Sequence, residues 1–155
     1  MFDAPAEGLY VWLGLAAVAA TTLTVATGLP TGPPPAPEAA AATVDEVAGS
    51  DTPASATHAL GADRVRLGSE SVTIRADGAT ATAQFLYGPV VVADDGALTA
   101  LARGVSPRQL FDAPSTLRRA VATARERPPQ WRSGSQLRVA RVVWETVAVT
   151  VVDVQ

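Results

Sequence analysis

The hydrophobic pattern along the chain changes twice, and each change predicts a different kind of structure. Residues 8–29 form a run of 22 without a charge. As a helix rising about 1.5 Å per residue, that run would extend roughly 33 Å, enough to cross the hydrocarbon core of a bilayer. Tyr10 and Trp12 sit near its first edge, where amphipathic rings favour the headgroup level, and Pro30 and Pro33-Pro34-Pro35 close it. The expectation is a transmembrane helix over 8–29 behind an N-terminal tail, residues 1–7. Two rivals stay open. One is a cleaved secretory signal, which wants basic residues before a shorter apolar stretch, whereas residues 1–7 hold none. The other is a buried helix of a soluble protein. Residues 30–61 follow, rich in Pro, Ala, Thr and Ser, a composition that predicts an extended or disordered tether with a short fraying helix over 39–47.

From about residue 62 to 155 the pattern is that of a folded domain. Arg64–Leu67 alternates, and Ser71–Ala76 places Val72 and Ile74 opposite Thr73 and Arg75. Asp77-Gly78 then suits a two-residue hairpin turn, with the partner strand running through 80–87. Gly88-Pro89 interrupts before Val90-Val91-Val92. Asp95 is placed to cap a short helix carrying Leu98, Leu101 and Ala102, ended by Gly104. Ser106-Pro107-Arg108-Gln109 has the form of a capping box opening a turn that buries Leu110 and Phe111. Asp112 and Pro114 start a longer helix with Leu117, Ala120, Val121 and Ala124 at helical spacing, and Pro128-Pro129 stops it. Leu137 and Val139 alternate as a strand, then the alternation breaks over 140–144, which predicts a bulge or bend. Residues 146–154 are strongly β-branched. Strands, two or three short helices, then strands predict an α+β domain with a small antiparallel sheet and helices on one face. Trp144, Phe85, Phe111 and the valines are its candidate core.

Charge divides the chain. Residues 30–60 carry Glu38, Asp45, Glu46 and Asp51 and no arginine, whereas residues 61–155 carry all 12 arginines against nine acids. Nine arginines lie between 103 and 141, against Asp112 and Glu126 alone. Most such residues solvate helix faces and strand edges. The sharper reading is a basic interaction patch formed by Arg118, Arg119, Arg125, Arg127, Arg132, Arg138 and Arg141, facing anionic lipid headgroups or an acidic partner. Nucleic acid is not expected, since the only aromatic interleaved with these arginines is Trp131.

Candidate chemistry is thin. The chain has no cysteine, which excludes disulfides, thiolate metal sites and a lipoprotein anchor. No phosphate-cradling glycine loop, nucleophile elbow or H-E-x-x-H is present. Its one histidine, His58, falls in the expected tether, and Asp94-Asp95 before Gly96 reads as a turn and helix cap rather than a cation site. The expectation is a non-enzymatic protein with no catalytic residue, no metal, no cofactor and no small-molecule substrate.

Met1-Phe2-Asp3-Ala4-Pro5, Tyr10-Val11-Trp12-Leu13-Gly14 and Tyr87-Gly88-Pro89-Val90 resemble motifs of an uncharacterised family of haloarchaeal single-span membrane proteins. The resemblance implies a link to type IV pilus-like assembly clusters, and a domain held outside the cytoplasm at the cell membrane. Gly8 follows acidic Glu7 and the position five residues on is Leu13, which departs from the basic-Gly-Glu pattern of a processed pilin. The function expected is therefore a membrane-anchored accessory protein with protein partners that the sequence does not identify. The alternative is a tethered module docking on anionic lipid through its arginines.

Overall fold

A computed structural model of the protein describes residues 35–94 and 96–155. The expected tail, the expected span over 8–29, the start of the expected tether and the Asp95 cap lie outside the described residues. In chain order the elements are α1 (Pro37–Ala48), β1 (Ala54–Ala59), β2 (Arg64–Leu67), β3 (Ser71–Ala76), β4 (Ala79–Gln84), β5 (Val91–Val92), α2 (Gly96–Ala102), α3 (Pro107–Leu110), α4 (Pro114–Arg125), β6 (Trp131–Arg132), β7 (Gln136–Trp144) and β8 (Val147–Val154). The class is α+β. Two four-stranded sheets replace the single sheet expected, in the orders β1-β7-β8-β5 and β4-β3-β2-β6. Every pairing is antiparallel except that of β5 with β8.

The second sheet follows its local sequence closely. Asp77 and Gly78 both adopt positive φ, 49° and 79°, in the two-residue turn that joins β3 to β4, as hairpin twist requires. Val65, Leu67, Val72 and Ile74 point inwards and are buried. The strand expected through residue 87 stops at Gln84, because Phe85 turns into the core and its N–H bonds the Glu70 carbonyl at 2.8 Å.

The central sheet is covered on both faces, and this explains the broken alternation over 140–144. Leu137 and Val139 face α1 and the second sheet, in a cluster with Val44, Val72 and Val152. Val142 and Trp144 face the opposite way, onto α2 and α4, in a cluster with Leu98, Leu101, Leu117 and Val121. The β7–β8 register runs unbroken from Leu137↔Val154 to Trp144↔Val147. There is no bulge; the hydrophobic stripe changes face because the covering layer changes face. Phe111 packs at the margin of the helical cluster.

The helices follow their sequence signals with one exception. Gly104 closes α2 at φ 90°, with Val105 N–H bonding the Ala100 carbonyl and Gly104 N–H the Leu101 carbonyl, the paired bonds of a glycine C-cap. The capping box at Ser106 does not form, and Asp112 does not cap the longer helix. The Ser106 side chain makes no cap bond, Gln109 N–H bonds the Ser106 carbonyl instead, and Ala113 rather than Asp112 precedes α4.

Residues 37–60 correct the tether expectation. Pro37 opens α1, and Ala40, Ala41, Val44 and Val47 form its buried stripe. β1 then pairs with β7 over six residues, from Ala54↔Arg141 to Ala59↔Gln136. Averaged composition suggested too little apolar surface to order this stretch. A helix needs only one apolar stripe, however, and alanine lets its backbone lie close to two sheets. The folded domain therefore begins at about Pro37, and His58 sits in β1 with its Nδ1 3.3 Å from Thr43 Oγ1.

Candidate functional site

The seven arginines of the expected basic patch do not share a surface. Arg118 and Arg119 lie exposed on α4, with Leu117 and Val121 facing the core. Arg125, Arg127 and Arg132 come together at one corner. There Arg125 Nη2 donates to the Pro89 carbonyl at 3.0 Å, and Arg132 Nη1 donates to the Ala93 carbonyl at 2.8 Å. Asp94 pairs with Arg132 and lies 4.0 Å from Arg127, so this corner is partly neutralised. These groups line a cavity of only about 90 Å³. Arg138 and Arg141 are three residues apart on β7 and therefore project from opposite faces of the sheet. Each is half-buried with an unpartnered Nε, and Arg141 Nη1 reaches Thr150 Oγ1 at 3.2 Å.

A basic cluster does form elsewhere, on the outer face of the second sheet. Strand alternation that turns Val65, Leu67, Val72 and Ile74 inwards turns Arg64, Arg66 and Arg75 outwards, where all three are exposed. Arg64 and Arg75 are direct cross-strand partners, and Trp131 on β6 stands opposite Arg66. The guanidinium carbons of Arg66 and Arg75 lie 5.1 and 5.6 Å from the Trp131 ring centroid, within cation–π range. None of the three arginines has an ion pair among the described residues. Beneath them Thr73 is buried and its Oγ1 meets Thr82 Oγ1 at 2.9 Å. The period-two alternation of residues 64–67 carried this signal. Arginine density along the chain drew attention to 103–141, and the pairing of β6 with β2 has no local sequence cue.

The second feature missed in sequence is the loop after β4. Leu86 and Tyr87 are 84% and 59% exposed, the large hydrophobic side chains left in solvent among the described residues. Their backbone is fixed. Asp45 Oδ1 accepts both N–H groups, at 2.8 and 3.1 Å, and Val90 N–H bonds the Ser69 carbonyl at 2.8 Å. A cis Gly88-Pro89 peptide completes the turn.

Among the described residues no group of three or more His, Cys, Asp or Glu could hold a metal ion. No helix among them is long and apolar enough to cross a membrane. The chain belongs to a family of unknown function (DUF7283), whose model matches residues 3–142. That match takes in the uncharged N-terminal run together with the domain through most of β7. No curated protein and no solved structure matches the chain.

Proposed function

We propose that this protein is a non-enzymatic, membrane-anchored accessory component of a surface or pilus-like assembly, acting by protein–protein contact from the extracytoplasmic side. The uncharged run over 8–29 supports the anchor, and the resemblance to haloarchaeal single-span proteins supports the setting. The observation that carries the contact role is the Leu86-Tyr87 pair. Two large apolar side chains exposed on a loop held by Asp45 and Ser69 present contact area with little ordering cost left to meet on binding. A photo-crosslinking residue at position 87 of the full-length chain, activated in intact native cells, should give a discrete adduct with another protein. A control position that is also exposed, Ser133, should not. Adducts of equal yield at both positions, or none at 87, would refute the contact role. Protease added to the same cells reads the side on which the domain lies.

A further inference from the structure

We infer that the outer face of the second sheet, Arg64, Arg66 and Arg75 around Trp131, docks on anionic phospholipid headgroups, which orients the domain on the membrane that anchors it. The inference rests on the anchored reading above for its setting and on the sheet itself for its chemistry.

Like charges directly opposite one another on a sheet are destabilising. Here Arg64 faces Arg75 across the β2–β3 ladder, Arg66 lies on the same face, and no carboxylate among the described residues pairs with any of them. Asp63, next to Arg64 in the chain, turns its Oδ2 to the Asp77 N–H at 3.0 Å in the hairpin turn instead. An external anion relieves the repulsion. Trp131 holds two of the guanidinium groups over its ring, which orders them before anything binds. The same stacking occupies the ring and argues against a nucleobase there, which would need that π-face.

Lipid is favoured over an acidic protein segment by two further observations. The array is a sheet face of arginine and threonine, with a half-buried indole of the kind that settles at a bilayer interface. The folded domain also begins at Pro37, so only seven residues, 30–36, separate it from the end of the uncharged run. Fully extended, they reach roughly 25 Å. A domain on so short a leash stays beside the membrane, where each arginine close to anionic headgroups favours attachment by several-fold.

The chain lacks cysteine, so Thr80→Cys supplies a single reporter on the same face. Full-length protein carrying a fluorophore there is reconstituted into vesicles of phosphatidylcholine alone, or with about a third phosphatidylglycerol. In the anionic vesicles the label should be shielded from the uncharged aqueous quencher acrylamide, and high salt should release it; in neutral vesicles it should stay accessible. Replacing Arg64, Arg66 and Arg75 together by Gln should abolish shielding, equivalent to a loss of roughly a hundredfold in attachment. A circular dichroism melt of the triple variant checks that it remains folded. Equal accessibility in the two vesicles, or shielding that survives the triple replacement, overturns the inference. So does shielding by soluble polyglutamate but not by anionic vesicles, which would assign the face to an acidic protein. Flotation with neutral vesicles reads the anchor separately. A chain that floats only with anionic vesicles and detaches in salt would refute the anchor while leaving the docking face in place.

Discussion

The Asp45 carboxylate on α1 accepts the N–H of Leu86, 41 residues along the chain, at 2.8 Å. With the Tyr87 N–H at 3.1 Å on the same oxygen, this contact ties the helix to the loop that, among the described residues, exposes large apolar side chains. Asp45→Ala should cost about 1 kcal/mol, below the roughly 1.5–3 kcal/mol of a bond to a charged acceptor, because both amides can turn to water. The sharper readout is hydrogen exchange, which should accelerate at Leu86 and Tyr87 and leave the β7–β8 ladder unchanged. Asp45→Asn keeps a carbonyl acceptor and should restore most of the protection. Unchanged exchange at those two amides in Asp45→Ala would show that the loop is held by other contacts.

Residues 35–155 should fold as an isolated fragment, and residues 62–155 should not. The shorter fragment lacks α1, which buries Ala40, Ala41, Val44 and Val47, and lacks β1, which pairs six residues of β7. Their loss would strip the α1 cover from the cluster that holds Leu137 and Val139, leaving only the second sheet on that side, and would open the central sheet at one edge. Burial of each of these valine and leucine side chains contributes roughly 1.5–3 kcal/mol. Losing part or all of that burial at four such positions takes away an amount comparable to the roughly 5–15 kcal/mol that separates a typical domain from unfolding. A cooperative thermal transition in the 62–155 fragment, matching that of 35–155, would place α1 and β1 outside the folding unit.

The contrast between these regions shows what was legible in the chain. The β3–β4 hairpin and α4 could be read locally, because Asp77-Gly78 and the spacing of Leu117, Val121 and Ala124 each determine their own geometry. The burial of Trp144 against the helices also agrees with its sequence pattern. The first helix was legible as a short helical stretch over 39–47 and is observed over Pro37–Ala48; its burial, and the strand β1 after it, could not be read so directly, since alanine and threonine acquire their value only from the sheets they pack on. The switch of buried face along β7 depends on which layer covers which half of the sheet, a tertiary fact. The basic site was half legible. Alternation placed Arg64, Arg66 and Arg75 on one side, but only the return of β6 beside β2 brings Trp131 among them.

Gly134 occupies a position that no side chain fits. A Cβ added there would lie 2.5 Å from Val154 Cγ1 and 2.7 Å from the Gln155 carbonyl oxygen. That oxygen accepts the Ser135 and Gln136 N–H groups at 2.7 and 2.9 Å, so it cannot move aside without loss. Gly134→Ala should therefore destabilise by about 1–3 kcal/mol, as overpacking does. Gly96→Ala is the matched control: nothing lies within 4 Å of its added Cβ at the start of α2. Its effect should be neutral or slightly stabilising. Equal urea midpoints for the two variants would mean that the end of β8 yields readily.

The two described tryptophans should separate stability from surface function. Trp144 is 7% exposed and packs with the residues that hold α2 and α4 on the central sheet. Trp144→Ala should cost roughly 3–5 kcal/mol. Trp131 is half-buried on a short edge strand, and its side chain supports two guanidinium groups rather than a layer of core. Removing it forfeits two cation–π contacts at about 0.5–1 kcal/mol each, plus modest packing. Trp131→Ala should thus lower the unfolding midpoint far less than Trp144→Ala. Its larger consequence should be on the surface, where Arg66 and Arg75 lose the ring that holds them beside Arg64. Denaturant unfolding of both variants, read alongside reporter shielding on anionic vesicles, gives the discriminating pair of measurements. A Trp131→Ala chain as unstable as Trp144→Ala would show that the indole is a core element and that the ordering of the arginines is incidental to it.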